Sequence, residues 1–516
     1  MLNNGGATGV WQIHSNIRGG LRRSTSVETL NSAELSRYQT DGLHYCQSNM
    51  VNYEPYFYNT GYNMSHNQQG IFYNGGQMNN CVQSNYCQRR NYIKRSNSAD
   101  SITRNHNVHS KVLNVLSQRV WEQVAENQSN QASHTGVVFR LMSYNVLAQD
   151  LLEGHPYLYK YHNPGSLKWR TRWSNLFQEI CSTLPDIMCL QEVQESHLSE
   201  YYSKFEGLGY KGLFKKRTGF RTDGCAIYYQ TKKFSLVEYE TVEFFQPNVD
   251  VLNRDNVAIV AKFSPRSHPK KEFIVATTHL LYNIKRQDVR LAQTQLLLTE
   301  IERLSFVKKV GDIDEYLPII ITGDFNSTVD SAVYRFITEG VFKYTHLSAR
   351  CLDDSNRNCH GNILIPSKLE VTDKCQHAAL IQQRNKNQLV SRLDEACLIK
   401  LHNSEKCVKK VNTEVVQNPE LFCSGTISHL FTFKSVYNHG SLNNQEATTY
   451  HDKWLTVDFI FYSGKKVGRK QKDDHSLQLI SRYRLPRQNE LGNMKIPNNI
   501  LGSDHLCLMA MFKLEV

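Results

Sequence analysis

From Val137 onward, short strand-like runs alternate with longer helix-like stretches, and this alternation limits the fold more than any other feature. Apolar residues recur with helical spacing at residues 169–184, 288–304 and 331–339. Strands that alternate with amphipathic helices predict a layered α/β domain, because each sheet buries its apolar faces against other layers. The strand-like runs lie at residues 138–147, 186–193, 224–230, 257–263, 273–281, 318–323, 455–462 and 505–514.

The first 135 residues differ from this domain in composition. Asn, Gln, Ser, Gly and Tyr dominate them and aliphatic runs are few, which predicts disorder. Aromatic residues dispersed among Asn, Gln and Gly are typical of assembly-prone segments, although an inert solvated tail fits this composition equally well. A helix-like stretch at residues 112–124 leads into the folded part. We therefore expect a disordered region over residues 1–135 and one folded domain over residues 136–516.

Between Tyr344 and Tyr450 the pattern weakens into polar sequence of mixed charge. Cysteines are frequent there, but their spacings match no zinc template, and the odd total of 13 without a Cys-x-x-Cys indicates no disulfide framework. Strand-like sequence resumes afterwards. We interpret residues 345–450 as a polar insertion within the domain.

Charge and hydropathy narrow the classes of partner. The chain carries 60 Lys and Arg against 48 Asp and Glu, a net charge of +12, which favours polyanions and leaves nucleic acid, phosphoinositide and acidic membrane open. No run approaches the roughly 18 apolar residues that a membrane span requires, and the start lacks the pattern of a signal peptide. These features favour a protein without a membrane segment.

Polar side chains stand where the strand-like runs begin or end. Taken singly, each is ordinary turn or surface chemistry. Together they predict an active site at one edge of a sheet scaffold. Asn and Glu oxygens suit Mg²⁺, and two histidines with carboxylates suit proton transfer and phosphoryl charge stabilisation. The segments are Ser143-Tyr144-Asn145, Gln191-Glu192, Thr278-His279, Gly323-Asp324-Phe325-Asn326, Asp458 and Ser503-Asp504-His505.

These segments also resemble a known family. S-Y-N-V-L, L-Q-E-V, T-T-H-L-L, G-D-F-N-S, V-D-F-I-F-Y and S-D-H-L follow the order of the endonuclease/exonuclease/phosphatase superfamily. More closely, S-Y-N-V-L-A-Q-D-L-L, D-I-M-C-L-Q-E-V-Q-E and R-D-N-V-A-I-V resemble the Angel proteins, relatives of nocturnin and the carbon-catabolite-repressor-type deadenylases. The resemblance covers about residues 137–516. It implies a four-layer α/β sandwich, in which two packed mixed β-sheets are flanked by helices.

The resemblance also implies a metal site. Glu192 matches the principal metal ligand of the family, Asn145 supports the same site, and Asp504 is a further contributor. The expected ion is Mg²⁺, with Mn²⁺ as a substitute.

Five further residues match the family's catalytic positions. Asp324 and Asn326 match the pair that orients the attacking water, and His279 is expected to contact a phosphate oxygen. His505 is expected to act at phosphorus, with Asp458 fixing its tautomer. The identity of the general base, His505 or Asp324, stays open. A second metal at Asp324, Asn326 and His505 also stays open.

Substrate contacts are expected beside this site. Arg217, Arg221 and Asp223 would place charged side chains near a strand that faces it, and Asn256 matches a position where relatives approach the substrate strand. A solvated surface loop explains the two arginines equally well.

The resemblance implies a phosphohydrolase acting on RNA 3′ ends, either a 3′–5′ exoribonuclease of deadenylase type or an RNA 2′,3′-cyclic phosphatase. Inositol-phosphate phosphatase, sphingomyelinase and DNA nuclease are alternatives, but the P-x-W-C-D-R-type segment of inositol phosphatases is absent from the sequence. A non-catalytic RNA-binding scaffold is the third alternative, and the retained catalytic set disfavours it. We expect RNA but no membrane as a partner, RNA-granule contacts through residues 1–135, and a cytoplasmic location with nuclear access.

Overall fold

The computed structural model describes residue 115 and residues 118–124, 136–310, 313–355, 358–386, 421–440, 444–464 and 477–516. All of them belong to one compact unit, residues 74–516. The predicted disorder of the N-terminal region falls almost wholly outside the described residues, as does the middle of the predicted insertion.

Two large sheets form the frame of the described part. The first has seven strands in the order β1-β18-β19-β2-β3-β5-β4, and the second has six in the order β14-β17-β11-β8-β7-β6. Each is mixed, because β2 runs parallel to β3 and β8 runs parallel to β11, while the other neighbours are antiparallel. The strands are β1 Trp121–Gln123, β2 Val137–Asn145, β3 Ile187–Gln194, β4 Tyr210–Lys216, β5 Asp223–Gln230, β6 Phe234–Glu243, β7 Val257–Pro265, β8 Phe273–His279, β9 Phe306–Val310, β10 Ile313–Tyr316, β11 Ile319–Asp324, β12 Val341–Lys343, β13 Thr426–Ser428, β14 Phe433–Ser435, β15 Thr449–His451, β16 Lys453–Leu455, β17 Asp458–Ser463, β18 Leu477–Tyr483 and β19 Leu508–Leu514.

Helices cover the outer faces of both sheets. Helix α2 packs on the seven-stranded sheet, and α3 and α4 pack on the six-stranded sheet. The α-helices are α1 Gln149–Gly154, α2 Trp169–Thr183, α3 Gln287–Ser305, α4 Ala332–Glu339, α5 at residues 378–386 and α6 Gln488–Leu491. Short 3₁₀ turns lie at Pro156–Leu158, Glu195–His197, Tyr202–Leu208, Asp250–Leu252 and Ser367–Leu369.

Side-chain alternation along the strands builds the layers. In β8, Phe273 and Val275 enter the core between the two sheets, whereas Ile274 and Ala276 face the helices α3 and α4. Successive strand residues point to opposite faces, so a strand buried on both sides reads as a continuous apolar run. The predicted four-layer α/β sandwich is confirmed.

The start of the domain differs from the prediction. Residues 121–123 form the edge strand β1, which pairs with β18, rather than part of a helix. Arg119 is buried and donates to the carbonyl oxygen of Cys507. These residues pack on the domain although they precede the predicted boundary at residue 136.

Parts of the predicted insertion also belong to the frame. Strand β14 joins the six-stranded sheet beside β17, so residues 433–435 are not a surface addition. Helix α5 contributes Arg384, whose guanidinium pairs with the buried Glu302 of α3. Strand β14 was not predicted because it has only three residues and lies within a long polar stretch.

No helix in the part of the chain that the structure describes combines the length and apolar character needed to cross a membrane.

Candidate active site

Three polar residues lie in one row across the six-stranded sheet. Asp324, at the end of β11, pairs in register with His279 of β8 on one side and Asp458 of β17 on the other. Residues in register on neighbouring strands point to the same face, so the three side chains stand next to each other. All three are buried. The row results from each strand ending or beginning at the same edge.

A constrained turn follows Asp324. Gly323 has φ +145°, and a Cβ there would lie 2.0 Å from the carbonyl oxygen of Thr278, so the position requires glycine. Asn326 has φ 48°, a conformation that asparagine tolerates better than most residues. Its backbone N–H donates to Asp324 Oδ1 at 2.9 Å, and its side-chain amide donates to the Leu280 carbonyl at 3.0 Å. The turn therefore fixes the Asp324 carboxylate.

The seven-stranded sheet supplies the opposite side of the site. Glu192 lies in β3 with φ 58°, where the register with β5 shifts between Leu190 and Val193. A bulge re-aims a side chain out of the regular alternation, and such strained backbone is common at functional sites. The Glu192 carboxylate accepts from the Ala148 N–H at 3.0 Å. The bulge turns Glu192 toward the row of the other sheet.

Asn145 connects the two sheets. Its amide nitrogen donates to Glu192 Oε1 at 2.9 Å and to Asp324 Oδ2 at 3.1 Å, and its oxygen accepts from the Leu147 N–H at 3.0 Å. In this orientation Asn145 positions the two carboxylates and directs its nitrogen, not its oxygen, toward them.

His505 closes the row from the segment before β19. Its Nδ1 lies 2.9 Å from Asp458 Oδ2, and its Nε2 lies 3.7 Å from Asp324 Oδ2. Burial alone would lower the pKa of His505, but the charges of Asp458, Asp324 and Asp504 outweigh it and hold the pKa well above its usual value. His505 is therefore an imidazolium at neutral pH and donates hydrogen bonds.

His279 has the opposite character. Burial, followed by the charge of Arg217, lowers the pKa of His279 to about 4. Its Nε2 lies 3.5 Å from Asp324 Oδ2 and its Nδ1 lies 3.9 Å from Glu192 Oε1. Because the ring is neutral at physiological pH, these approaches are not ion pairs. The site thus holds one charged and one neutral imidazole.

Excess negative charge is concentrated between these rings. Burial and then the Asp458 charge raise the pKa of Asp324. Asp504 accepts from the Tyr159 hydroxyl at 2.7 Å through Oδ2, while its buried Oδ1 has no hydrogen-bond partner among the described residues. Buried carboxylate oxygens with unsatisfied capacity are the ligands that a hard divalent cation prefers. The donor set fits such an ion.

Two compact groups could hold a cation. In each group, the candidate ligand atoms lie within 4.8 Å of one another. Glu192 belongs to neither group and is joined to Asp324 through Asn145. The groups are Asp324, Asp458 and His505, and His451, Asp504 and His505.

The predicted substrate residues divide into two sets. Arg217 pairs with the buried Asp223, and its charge reaches His279, so this pair lies beside the site. The Arg221 side chain is 54% exposed and lies 3.5 Å from Asp255. Asn256 is buried, donates to the His279 carbonyl at 3.0 Å and accepts from Gln293 at 3.1 Å. Its amide supports the strand that carries His279, and the substrate contact predicted for it stays a prediction.

Three residues that the structure brings to this site were not predicted from the sequence. His451 ends β15 inside the predicted insertion, and its ring centroid is 6.2 Å from that of His505. Tyr159 reaches Asp504 from an irregular segment. For both, the only sequence signal was an aromatic side chain in polar surroundings.

The third missed residue is Arg172, which is fully buried in α2. It donates to the Val146 carbonyl at 2.7 Å and to the Gly502 carbonyl at 2.8 Å. The first carbonyl follows Asn145 and the second precedes Asp504. Arg172 thus joins the two loops that carry these residues, and no local sequence pattern could indicate contacts across 330 positions.

Known proteins share this arrangement of segments. The model of the Endonuclease/Exonuclease/phosphatase family matches residues 142–505. The protein angel homolog 2 of Bos taurus is 33% identical over 434 residues, which span 80% of this chain and 74% of the relative. This chain belongs to the Angel family. A second Angel relative, the human protein angel homolog 2, is 35% identical over 396 residues, covering 73% of this chain and 70% of the relative.

A solved Angel structure agrees with this membership. The crystal structure of ANGEL2, described as a 2′,3′-cyclic phosphatase in complex with adenosine-2′,3′-vanadate, is 32% identical in sequence. The match covers 77% of this chain and 99% of that one, with a TM-score of 0.61. The predicted superfamily and Angel membership are confirmed.

Proposed function

We propose that this protein is a divalent-metal-dependent phosphohydrolase that opens and removes the 2′,3′-cyclic phosphate at RNA 3′ ends. The observation that carries the proposal is the buried row in which Asp324 stands in register with His279 and Asp458, with His505 held 2.9 Å from Asp458 and 3.7 Å from Asp324. ANGEL2, which shares the family and 32% of its sequence, is described as an enzyme of this kind.

The reaction is attack of water on phosphorus. The first water breaks one of the two ring P–O bonds and leaves a phosphate monoester on one ribose oxygen and a hydroxyl on the other. A second water breaks the remaining ester bond, which releases inorganic phosphate and leaves both ribose oxygens as hydroxyls. Asp324 is the group best suited to accept the water proton, because burial and Asp458 raise its pKa toward the working range of a general base. Asp324 takes one proton from the attacking water, and the departing ribose oxygen gains one proton, so the step is neutral overall in protons.

His505 and His279 serve the phosphoryl oxygens. His505 is cationic and buried, so it donates to an oxygen on which negative charge grows in the transition state. Asp458 holds the His505 ring in place through Nδ1, which leaves Nε2 to face the reacting group. Neutral His279 has a buried Nδ1 without a hydrogen-bond partner among the described residues, and offers one N–H to the phosphate.

Glu192 and Asp504 are the proposed ligands of a magnesium ion, with Asn145 orienting Glu192. When bound, such an ion supplies positive charge that polarises the phosphate. Four buried carboxylates lie around the site, which supports the need for a cation there: Glu192, Asp324, Asp458 and Asp504. Mn²⁺ is the proposed substitute. Arg217 and Asp223 are proposed to line the approach of the substrate, with Arg221 farther out.

Incubation with RNAs of identical sequence tests the proposal. The RNAs end in a 3′-hydroxyl, a 3′-phosphate or a 2′,3′-cyclic phosphate, each with and without a poly(A) tail, and Mg²⁺ is present or replaced by EDTA. Metal-dependent loss of the cyclic phosphate without shortening supports it. Shortening of the tail instead identifies a 3′–5′ exoribonuclease, and no change in any RNA refutes both activities.

An RNA 3′-end enzyme of this family is proposed to work in the cytoplasm with access to the nucleus, and residues 1–135 are proposed to contact RNA-granule proteins. Imaging the full chain beside a chain lacking residues 1–130 tests this role of the region. An unchanged distribution removes it.

A further inference from the structure

A line of three aromatic rings leads from the buried row to the surface. The His505 ring contacts the His451 ring edge to face, with centroids 6.2 Å apart and planes at 79°. His451 contacts Tyr282 in the same manner, with centroids 5.9 Å apart and planes at 63°. His505 is buried, His451 is half-buried, and Tyr282 is 58% exposed. The outermost ring therefore lies two ring contacts from the reacting centre.

The backbone that carries Tyr282 is held firmly although its ring is exposed. The buried Arg290 donates to the carbonyl oxygens of Leu281 and Asn283, at 3.3 and 2.6 Å. The Leu281 N–H donates to Gln293 Oε1 at 3.1 Å. A single exposed ring needs no explanation by itself. This ring stands on a fixed backbone beside the row, as a preorganised binding group requires.

Tyr282 also lies within electrostatic reach of the site. Burial raises the pKa of Tyr282, and the Tyr157 hydroxyl, Asp504 and Asp324 raise it further. Tyr157 is itself 67% exposed and lies in the turn Pro156–Leu158, directly before Tyr159, whose hydroxyl bonds Asp504. A second exposed ring thus lies near Tyr282.

We propose that Tyr282, supported by His451, stacks on the base of the 3′-terminal nucleotide. This inference rests on the proposed function and extends it to the recognition of the substrate. The terminal base is attached to the same ribose as the reacting phosphate, so it lies beside the row when the phosphate is bound. Every base has a π-face, so stacking binds all four bases, and the larger purines bind more tightly.

Two RNAs that differ only at their 3′ ends provide the test. The first RNA ends in adenosine 2′,3′-cyclic phosphate, and the second ends in the same cyclic phosphate on a ribose without a base. For the first RNA, Tyr282→Ala raises KM about 5- to 100-fold with kcat within a few fold of wild type, as expected for loss of one base stack. For the second RNA, Tyr282→Ala and wild type share one KM.

Tyr282→Phe retains the ring, so its KM is expected to equal that of the wild type. Tyr239→Ala is the matched control, because Tyr239 is also an exposed tyrosine, but it lies on edge strand β6 opposite Ala261, away from the row. An equal loss on both RNAs, or no loss on either, overturns the proposal.

A binding measurement separates this proposal from the proposed function. RNA with 2-aminopurine as its 3′-terminal base loses fluorescence when that base stacks on an aromatic ring. Wild type and Tyr282→Phe are expected to quench it, and Tyr282→Ala is not. Quenching without turnover of any RNA refutes the proposed function alone. Equal quenching by Tyr282→Ala and wild type refutes the stacking site alone.

Discussion

Asp324 and Asp458 lie directly opposite each other in the antiparallel pair of β11 and β17. Like charges at opposed positions destabilise a sheet, and here both carboxylates are also buried. His505 compensates, because its two ring nitrogens face the two carboxylates, at 2.9 Å from Asp458 and 3.7 Å from Asp324. The pair keeps His505 protonated, and His505 in turn lets both carboxylates remain in the sheet.

Asp458→Asn is expected to lower kcat by about 10²- to 10⁴-fold, which is the usual contribution of one positioned acid or base to the rate. The amide removes the charge that does most to raise the pKa of His505, so this pKa falls and less of the ring is protonated at a given pH. Titration of the His505 ring signals by NMR checks the pKa, and steady-state kinetics checks the rate. Magnesium affinity is expected to stay near the wild-type value, and a large loss of it would contradict this assignment.

Glu192→Ala is expected to abolish turnover by weakening the metal site. Removal of the carboxylate leaves the Asn145 amide and the Ala148 N–H without their shared acceptor. Calorimetric titration measures the dissociation constant for Mg²⁺. Glu192→Ala should raise this constant at least about tenfold more than Asp458→Asn does, since disturbing even a contact to a metal ligand usually weakens metal binding by that factor. Equal affinities in the two variants would remove Glu192 from the metal site.

Arg172→Met is expected to lower the free energy of unfolding by about 3–5 kcal/mol, because several buried acceptors lose their charged donor. Arg170→Met is the control, since Arg170 is exposed in the same helix. It should change the stability by less than about 0.5 kcal/mol. Denaturant unfolding of both variants provides the comparison, and similar midpoints would show that the carbonyl contacts of Arg172 contribute little.

Gly323→Ala is expected to destabilise the fold by about 3 kcal/mol or more, since its Cβ would overlap the Thr278 carbonyl and its φ of +145° is strained for alanine. At Gly207 an added Cβ meets nothing within 4 Å, so Gly207→Ala should be nearly neutral. Thermal unfolding distinguishes the two. A stable Gly323→Ala variant would mean that β8 and β11 can separate locally at no cost.

Stability should fall in mild acid because of His439. Burial lowers its pKa to about 4, below its ordinary value of 6.5. The folded state therefore resists protonation, so the stability is complete above about pH 6.5 and is lost as the pH falls toward 4, by up to about 3 kcal/mol. Unfolding curves at pH 7.5 and 4.5 measure the change. His439→Gln should reduce this difference in the free energy of unfolding between the two pH values. An unchanged difference would assign the acid sensitivity to other groups.

Much of the frame could be predicted because strand periodicity is local. Runs such as residues 273–281 and 318–323 correspond to β8 and β11, and the polar residues that end them form the row. The interior strands are buried on both faces, so their apolar runs were plain. Edge elements such as β14 were missed because half-exposed strands carry a weak pattern.

The site residues that were not predicted share a different cause. His451, Tyr159 and Arg172 act through contacts between segments that are distant in the chain. Neither spacing nor composition records which segments meet in space. The bulge at Glu192 belongs to the same class, because the strand pattern continues through it and only the pairing with β5 reveals the shift.

The order of strands in the seven-stranded sheet has a consequence for biosynthesis. Strand β19 lies between β18 and β2. One edge of β2, an early strand of the domain, therefore stays unpaired until the late strand β19 has been made. His505 and Asp504 arrive with the segment just before β19, and Asn145 stands at the end of β2. During translation the carboxylates of Glu192 and Asp324 emerge long before their cationic partner. The nascent chain therefore remains inactive until residues near 514 have left the ribosome, and β2 presents an open edge to chaperones until then.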